Sequence, residues 1–220
     1  INEIHYNTDV KTELVEFVEL HNTDSTYINL EGWYLTEGIS YQFGPGARLP
    51  ARGYIIVTQN PAHIQAKWGH VPSNLVYGPF EGKLENDGEK IELYNSDGLE
   101  VDQVEYKLGF PWPTVGDPAS ENQPGTGPSI QLIDPSLDND LAGSWRSAYP
   151  TPAARNISVY LANTPPHIRQ VNHSPKEPVS GETVTITAKV TDSDGVAAVV
   201  LNYQFVEPGN YISIEQSTYR

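Results

Sequence analysis

The sequence predicts an all-β protein, a β-sandwich joined to a second, smaller β domain, and three observations carry that expectation. Short strand-like runs recur at close spacing with turn signals between them. The 18 Gly and 18 Pro are scattered as punctuation without a regular period, which suits many short strands. Near the middle, Phe110-Pro111-Trp112-Pro113, a Gly/Pro-rich loop, residues 129–133 and Ser144-Trp145-Arg146 read as the closing edge of a sandwich. That run contains no recognisable catalytic element.

Strands of the first domain are expected at residues 2–6, 14–21, 32–36, 54–58, 90–94, 101–106 and 129–133. Glu37-Gly38, Gly44-Pro45-Gly46, Asp87-Gly88 and Asp97-Gly98 mark turns between them. The clearest hairpin joins residues 91–94 to 101–106 through Asn95-Ser96-Asp97-Gly98. One helix is expected after Asn60, with Asn60 as cap, Pro61 at the first helical position and Gly69 at the end. Ile64 and Trp68 would share its apolar face, and so short a helix is expected to seal an end of the sandwich.

Residues 113–128 read as loop, because Pro113, Gly116, Pro118, Pro124, Gly125, Gly127 and Pro128 break any regular structure. Composition turns to Ala, Pro, Asn and Thr from Tyr149 to Pro166, which places a first domain at 1–156, a linker at 157–166 and a second domain at 167–220. In the second domain, strand patterns fall at 168–172, 182–191 and 196–203 around the turn Asp192-Ser193-Asp194-Gly195. Val184, Ile186, Ala188 and Val190 alternate with Thr and Lys, the pattern of a half-buried strand with one wet face.

Asp and Glu number 28 against 13 Lys and Arg, for a formal net charge of -15. Such a surface repels phosphate backbones, so nucleic acid is not an expected partner. There is no Cys, hence no disulfide framework or thiolate metal site. No apolar stretch approaches the roughly 20 residues of a membrane span. The absence of Met and the start at Ile1 inside a strand-like run suggest a piece of a longer protein.

No catalytic, cofactor-binding or metal-ligating residue is assigned from the sequence. Glu16 and Glu19 invite comparison with the paired carboxylates of glycosidases, but residues three apart on a strand point to opposite faces. A structural role is expected, with one of them accepting backbone donors. His5, His21, His63, His70, His167 and His173 are dispersed without zinc-site spacing and read as surface or edge residues. Ca²⁺ is the one cofactor with a foothold, in the loop of Asp134, Asp138 and Asp140 and in the turn of Asp192 and Asp194, although neither has the full calcium-loop pattern. Asp is also an ordinary turn residue. Trp33 and Trp145 are expected in the core, and Trp112, bracketed by prolines, is the aromatic candidate for an exposed contact.

Several pieces in order resemble the lamin-tail domain family in its bacterial form: Glu16-Phe17-Val18-Glu19-Leu20-His21-Asn22, Leu30-Glu31-Gly32-Trp33-Tyr34-Leu35, Leu49-Pro50-Ala51-Arg52-Gly53-Tyr54 and Leu84-Glu85-Asn86-Asp87-Gly88-Glu89. Val101-Asp102-Gln103-Val104 and Pro150-Thr151-Pro152-Ala153-Ala154-Arg155-Asn156 extend the likeness over about 155 residues. The resemblance implies an immunoglobulin-like sandwich with no catalytic residues to carry over. Residues 165–196 resemble the immunoglobulin-like segment that follows such a domain in some large exported bacterial proteins, several of which carry a kinase-like domain of the CotH class. About 57 residues remain from Thr164 onward, against roughly 100 for a complete immunoglobulin-like domain, so this second domain is expected to be incomplete, with an edge open to strand pairing.

The functional expectation is a non-catalytic module of an exported or cell-surface bacterial protein, docking or spacing through protein or glycan contacts. Two alternatives stand beside it, a targeting region for an attached kinase-like or hydrolytic domain and a carbohydrate-binding module presenting an aromatic strip.

Overall fold

The structure, a computed structural model, describes residues 1–107, 111–113, 127–157, 159, 167–191 and 196–201. The chain divides into two compact units, Ile1–Thr164 and Pro165–Arg220. In chain order the strands of the first are β1 (Glu3–His5), β2 (Phe17–His21), β3 (Ile28–Asn29), β4 (Tyr34–Glu37), β5 (Ile39–Gln42), β6 (Arg48–Leu49), β7 (Tyr54–Thr58), β8 (Val76–Tyr77), β9 (Glu81–Gly82), β10 (Gly88–Tyr94), β11 (Glu100–Lys107), β12 (Ser129–Leu132) and β13 (Trp145–Ala148). An α-helix, α1 (Pro61–Lys67), lies between β7 and β8, followed by a short 3-10 turn at Ser73–Leu75.

Two sheets face each other. One has the order β13-β12-β1-β2-β7-β8 and the other β11-β10-β4-β5-β9, with β3 and β6 forming a separate small pair. Between them Ile4, Val18, Leu20, Ile55, Val57, Ile130 and Leu132 from the first sheet meet Leu35, Ile39, Ile91, Leu93, Val104 and Tyr106 from the second. The protein is therefore an all-β, immunoglobulin-like sandwich.

The expected hairpin forms between β10 and β11. Its turn is held by the Asn95 side chain, whose Oδ1 accepts from the Asp97 and Leu99 amides at 3.0 and 2.9 Å, and Gly98 takes the left-handed φ of 73°. The expected closing edge also forms: β12 pairs with β1, and β13 is the outermost strand beyond it. Trp145 is fully buried there, and its indole N–H donates to the Asn139 carbonyl at 2.7 Å. The loop expectation over 114–126, and Phe110, lie outside the described residues.

Helix α1 begins as predicted, with Asn60 Oδ1 accepting from the Ala62 and His63 amides, and ends one residue before expectation with Trp68 as its cap. Its position corrects the sequence reading. It does not seal an end of the sandwich but covers the outer face of the six-stranded sheet, where Ile64 and Trp68 pack with Val15, Phe17, Ile56 and Val71. Phe17 and Ile56 alternate away from the inner core, and without this cover they would face water.

The second unit contains an antiparallel hairpin of β14 (His167–Ser174) and β15 (Thr185–Thr191), with a register shift between Arg169 and Asn172. The half-buried strand expected here is exposed instead, with Val184 at 39% and Ile186 at 46% exposure. Among the described residues no second layer covers that face. Residues 196–201 are described without strand, and the Asp192–Gly195 turn lies outside the described residues. No helix among the described residues is long and apolar enough to cross a membrane.

Candidate functional site

The outer face of the six-stranded sheet gathers most of the buried ionisable chemistry. Along β2, Val18 and Leu20 point into the sandwich, so Phe17, Glu19 and His21 point outward. Each outward residue meets a different neighbour. Phe17 lies under α1, Glu19 lies beside Glu3 of β1, and His21 borders an open cavity.

Glu3 and Glu19 are directly opposed in the β1–β2 register, and both are fully buried. Glu3 Oε1 accepts from Ser129 Oγ at 2.5 Å, Gln131 Nε2 at 3.2 Å and the Thr151 amide at 3.0 Å, while Oε2 accepts from Thr151 Oγ1 at 2.8 Å. Glu19 Oε1 accepts from Asn2 Nδ2 at 2.7 Å, and its Oε2 has no hydrogen-bond partner. The chain after β13 lies over the pair like a strap. Its anchors are Thr151 and Asn156, whose Nδ2 donates to the Asn2 and Leu132 carbonyls at 3.0 and 2.9 Å, and Tyr149, whose carbonyl accepts from Gln131 at 2.6 Å.

Burial raises both carboxyls. Glu3 is pushed up to about 7 against the pull of its donors, and Glu19, with burial first and the Glu3 charge second, lies well above the usual range. The two carboxyls titrate as a pair, and burial holds both above the usual carboxylate range. A proton-sharing pair of this kind resembles an acid–base dyad, but both carboxyls are enclosed, and their geometry fastens the strap to the sheet. The pair weighed from sequence was Glu16 with Glu19. Glu16 instead accepts from the Leu84 amide at 2.9 Å, the backbone role expected for one of the two, and Glu19 pairs with Glu3. The sequence signal for Glu3 was the same alternation, since Ile4 beside it points inward.

The histidines are not uniformly at the surface, which corrects the sequence reading. His5 is fully buried against Phe17 and Trp68, with both ring nitrogens 3.1 Å from carbonyl oxygens, of Val15 and Gly127. A neutral ring donates to only one of them, yet burial outweighs the second acceptor and lowers its pKa to about 4. His21 is half-buried and stacks on Tyr54, with centroids 4.3 Å apart and planes within 8°. His63 Nδ1 accepts from the Leu14 amide, and His70 and His173 are exposed. The side chain of His167 lies outside the described residues.

Asp134, Asp138 and Asp140 each serve a local turn or a neighbouring strand. Asp134 accepts from the Ser136 amide, Asp138 from the Asp140 amide and Asp140 from the Glu105 amide. Among the described residues no three His, Asp or Glu side chains gather as a metal site. Asp192 and Asp194 lie outside them. Trp112, the candidate for an exposed contact, is instead buried at 8% exposure beside Trp145, with rings 6.3 Å apart. Trp33, expected in the core, is half-buried and packs against its edge.

Beyond the strap the outer face opens into a cavity of about 520 Å³ bordered by His21, Arg52, Tyr54, Asp134, Arg155 and Asn156, with Asn2, Leu132 and Pro135 completing its wall. Arg52 is presented by a tight turn in which it adopts a left-handed φ of 53°. The turn is pinned by Asn22 Nδ2 donating to the Pro50 carbonyl at 3.0 Å and by the Arg52 amide donating to the Asp24 carbonyl at 2.9 Å. Burial, and then nearby positive charge that includes Arg52 and Arg155, lowers the His21 pKa. Nδ1 of His21 is buried without a partner.

The model of the lamin tail domain family matches residues 1–108. No curated protein and no solved structure matches the chain. The lamin-tail match spans β1 to β11 and so includes Glu3, His5, Glu16, Glu19, His21, Arg52 and Tyr54. Strands β12 and β13, the strap and Arg155 lie beyond it. The lamin tail family has a non-enzymatic, immunoglobulin-like fold, and at that level the region is a structural module.

Proposed function

We propose that the chain is a docking and spacing module of an exported or cell-surface bacterial protein, acting through protein or glycan contacts. The enclosed Glu3–Glu19 pair carries this reading. The buried acid–base chemistry of the sandwich is closed off by its own strap, leaving the open cavity beside it for contact rather than for a reaction. An acidic surface with net charge -15 suits solubility outside the cell and disfavours polyanionic partners.

The test is co-sedimentation of the full chain with bacterial envelopes, alongside envelopes treated with protease or periodate. Retention lost on protease treatment identifies a protein contact, and retention lost on periodate treatment a glycan. Absence of retention on any envelope overturns the docking reading.

A further inference from the structure

We propose that the cavity bordered by Arg52, Arg155 and His21 binds a carboxylate-bearing sugar, a hexuronic acid residue of a glycan. The inference rests on the contact-module reading and names the ligand class that this one site would take.

Charge is the first argument. The sequence carries 13 Lys and Arg against 28 Asp and Glu, yet two guanidiniums and a histidine border the same cavity. Arg52 is exposed, and among the described residues its guanidinium makes no ion pair or hydrogen bond, so its fork of donors is available to a carboxylate. Arg155 and Tyr54 each already interact with another group. One carboxylate on an otherwise neutral ligand gains these contacts, whereas a polyanion would meet the acidic surface around them.

The walls decide what carries the carboxylate. Tyr54 and His21 form a stacked aromatic pair, and Leu132 and Pro135 add apolar surface, which fits the C–H face of a pyranose ring. A bare phosphate or a flexible acidic side chain would reach the arginines and leave those walls in water. Asp134, whose Oδ1 already accepts from Ser136, offers its other carboxylate oxygen to ring hydroxyls. Asp134 also sets direction, since its charge keeps the ligand's carboxylate toward Arg52 and Arg155. The volume, about 520 Å³, lies within the range of small-ligand sites, roughly 300–1,000 Å³.

The experiment is calorimetric titration of the full chain with glucuronyl-glucose disaccharide, its neutral counterpart cellobiose, inorganic phosphate and a tetra-glutamate peptide. The expected result is binding of the uronate disaccharide alone, weakened by added salt and at least tenfold weaker in Arg52→Gln. Because Arg52 is exposed, the variant should unfold at the wild-type urea midpoint, and Tyr54→Leu provides a second variant that keeps an apolar side chain and removes the aromatic wall. The inference is overturned by no uronate binding at millimolar concentration, by equal binding of cellobiose, by phosphate or peptide binding as tightly, or by undiminished affinity in both variants. Envelope retention that survives such a result leaves the docking reading standing without this ligand.

Discussion

Replacing Glu3 with Gln should change how stability depends on pH, and the structure sets the size of the change. The folded pKa of Glu3 is raised from 4.5 to about 7, mainly by burial. A carboxyl raised in this way contributes stability that is fully present below pH 4.5 and is lost as pH rises through 7. The shift from 4.5 to about 7, at roughly 1.4 kcal/mol per pH unit, amounts to about 3–4 kcal/mol. His5 acts in the opposite direction, because a ring held neutral down to about 4 loses stability as pH falls from 6.5. The wild-type profile alone is therefore a compromise, and the difference between wild type and Glu3→Gln isolates the carboxyl pair. At pH 5 the variant should be weaker by about 1–3 kcal/mol, since its amide presents a donor where Thr151 also donates. By pH 8 that deficit should shrink by about 3 kcal/mol and close or reverse. Urea unfolding followed by tryptophan fluorescence reads this directly, because all four Trp lie in the first unit. A gap that stays constant or widens with rising pH would refute the reasoning. It would mean that the donors around Glu3 overcome burial and keep it ionised throughout.

Asn60→Ala removes the side-chain cap of α1 and should cost about 1 kcal/mol in urea unfolding, with little change in circular dichroism at low denaturant. A fragment ending at residue 108 lacks β12 and Trp145 and should show no cooperative unfolding transition, whereas one ending at residue 157 should unfold like the first unit of the full chain. Millimolar Ca²⁺ should leave the melting temperature where Mg²⁺ leaves it, because Asp134, Asp138 and Asp140 are engaged separately, and a selective rise with Ca²⁺ would contradict that arrangement.

The sandwich was legible because its inner face follows simple alternation. Residues 54–58 were placed as the strand they form, and the β10–β11 turn followed from Asn95 and Gly98. Two-residue strands such as β3, β6, β8 and β9 carry too little pattern to be seen alone. The helix was legible in its cap and not in its position, since the covering of Phe17 and Ile56 is a tertiary fact. Trp112 misled for a similar reason. Flanking prolines describe its backbone, while its burial depends on Trp145, thirty-three residues later in the chain. The Glu3–Glu19 pair escaped notice because the two lie in separate strands and meet through register, whereas Glu16 and Glu19 are near neighbours in sequence.

One property of β2 connects these points. A strand inside a sandwich usually shows water a polar outer face, and Glu19 and His21 look suited to that, yet Phe17 and Glu19 are both covered. Covering an apolar residue needs only a helix such as α1. Covering a carboxylate needs donors: Asn2 supplies one to Glu19, while Glu3, which faces it in the register, takes its donors from β12 and from Thr151 of the strap, both outside the stretch that matches the lamin tail family. The matched region therefore carries a demand that later residues meet, which makes 127–156 part of the same folding unit. The strap leaves His21 at its margin. There Arg155, arriving with the strap, lines the same cavity as Arg52, arriving with the turn before β7, so the pairing of two arginines on one cavity wall is a consequence of how the carboxylates are closed over.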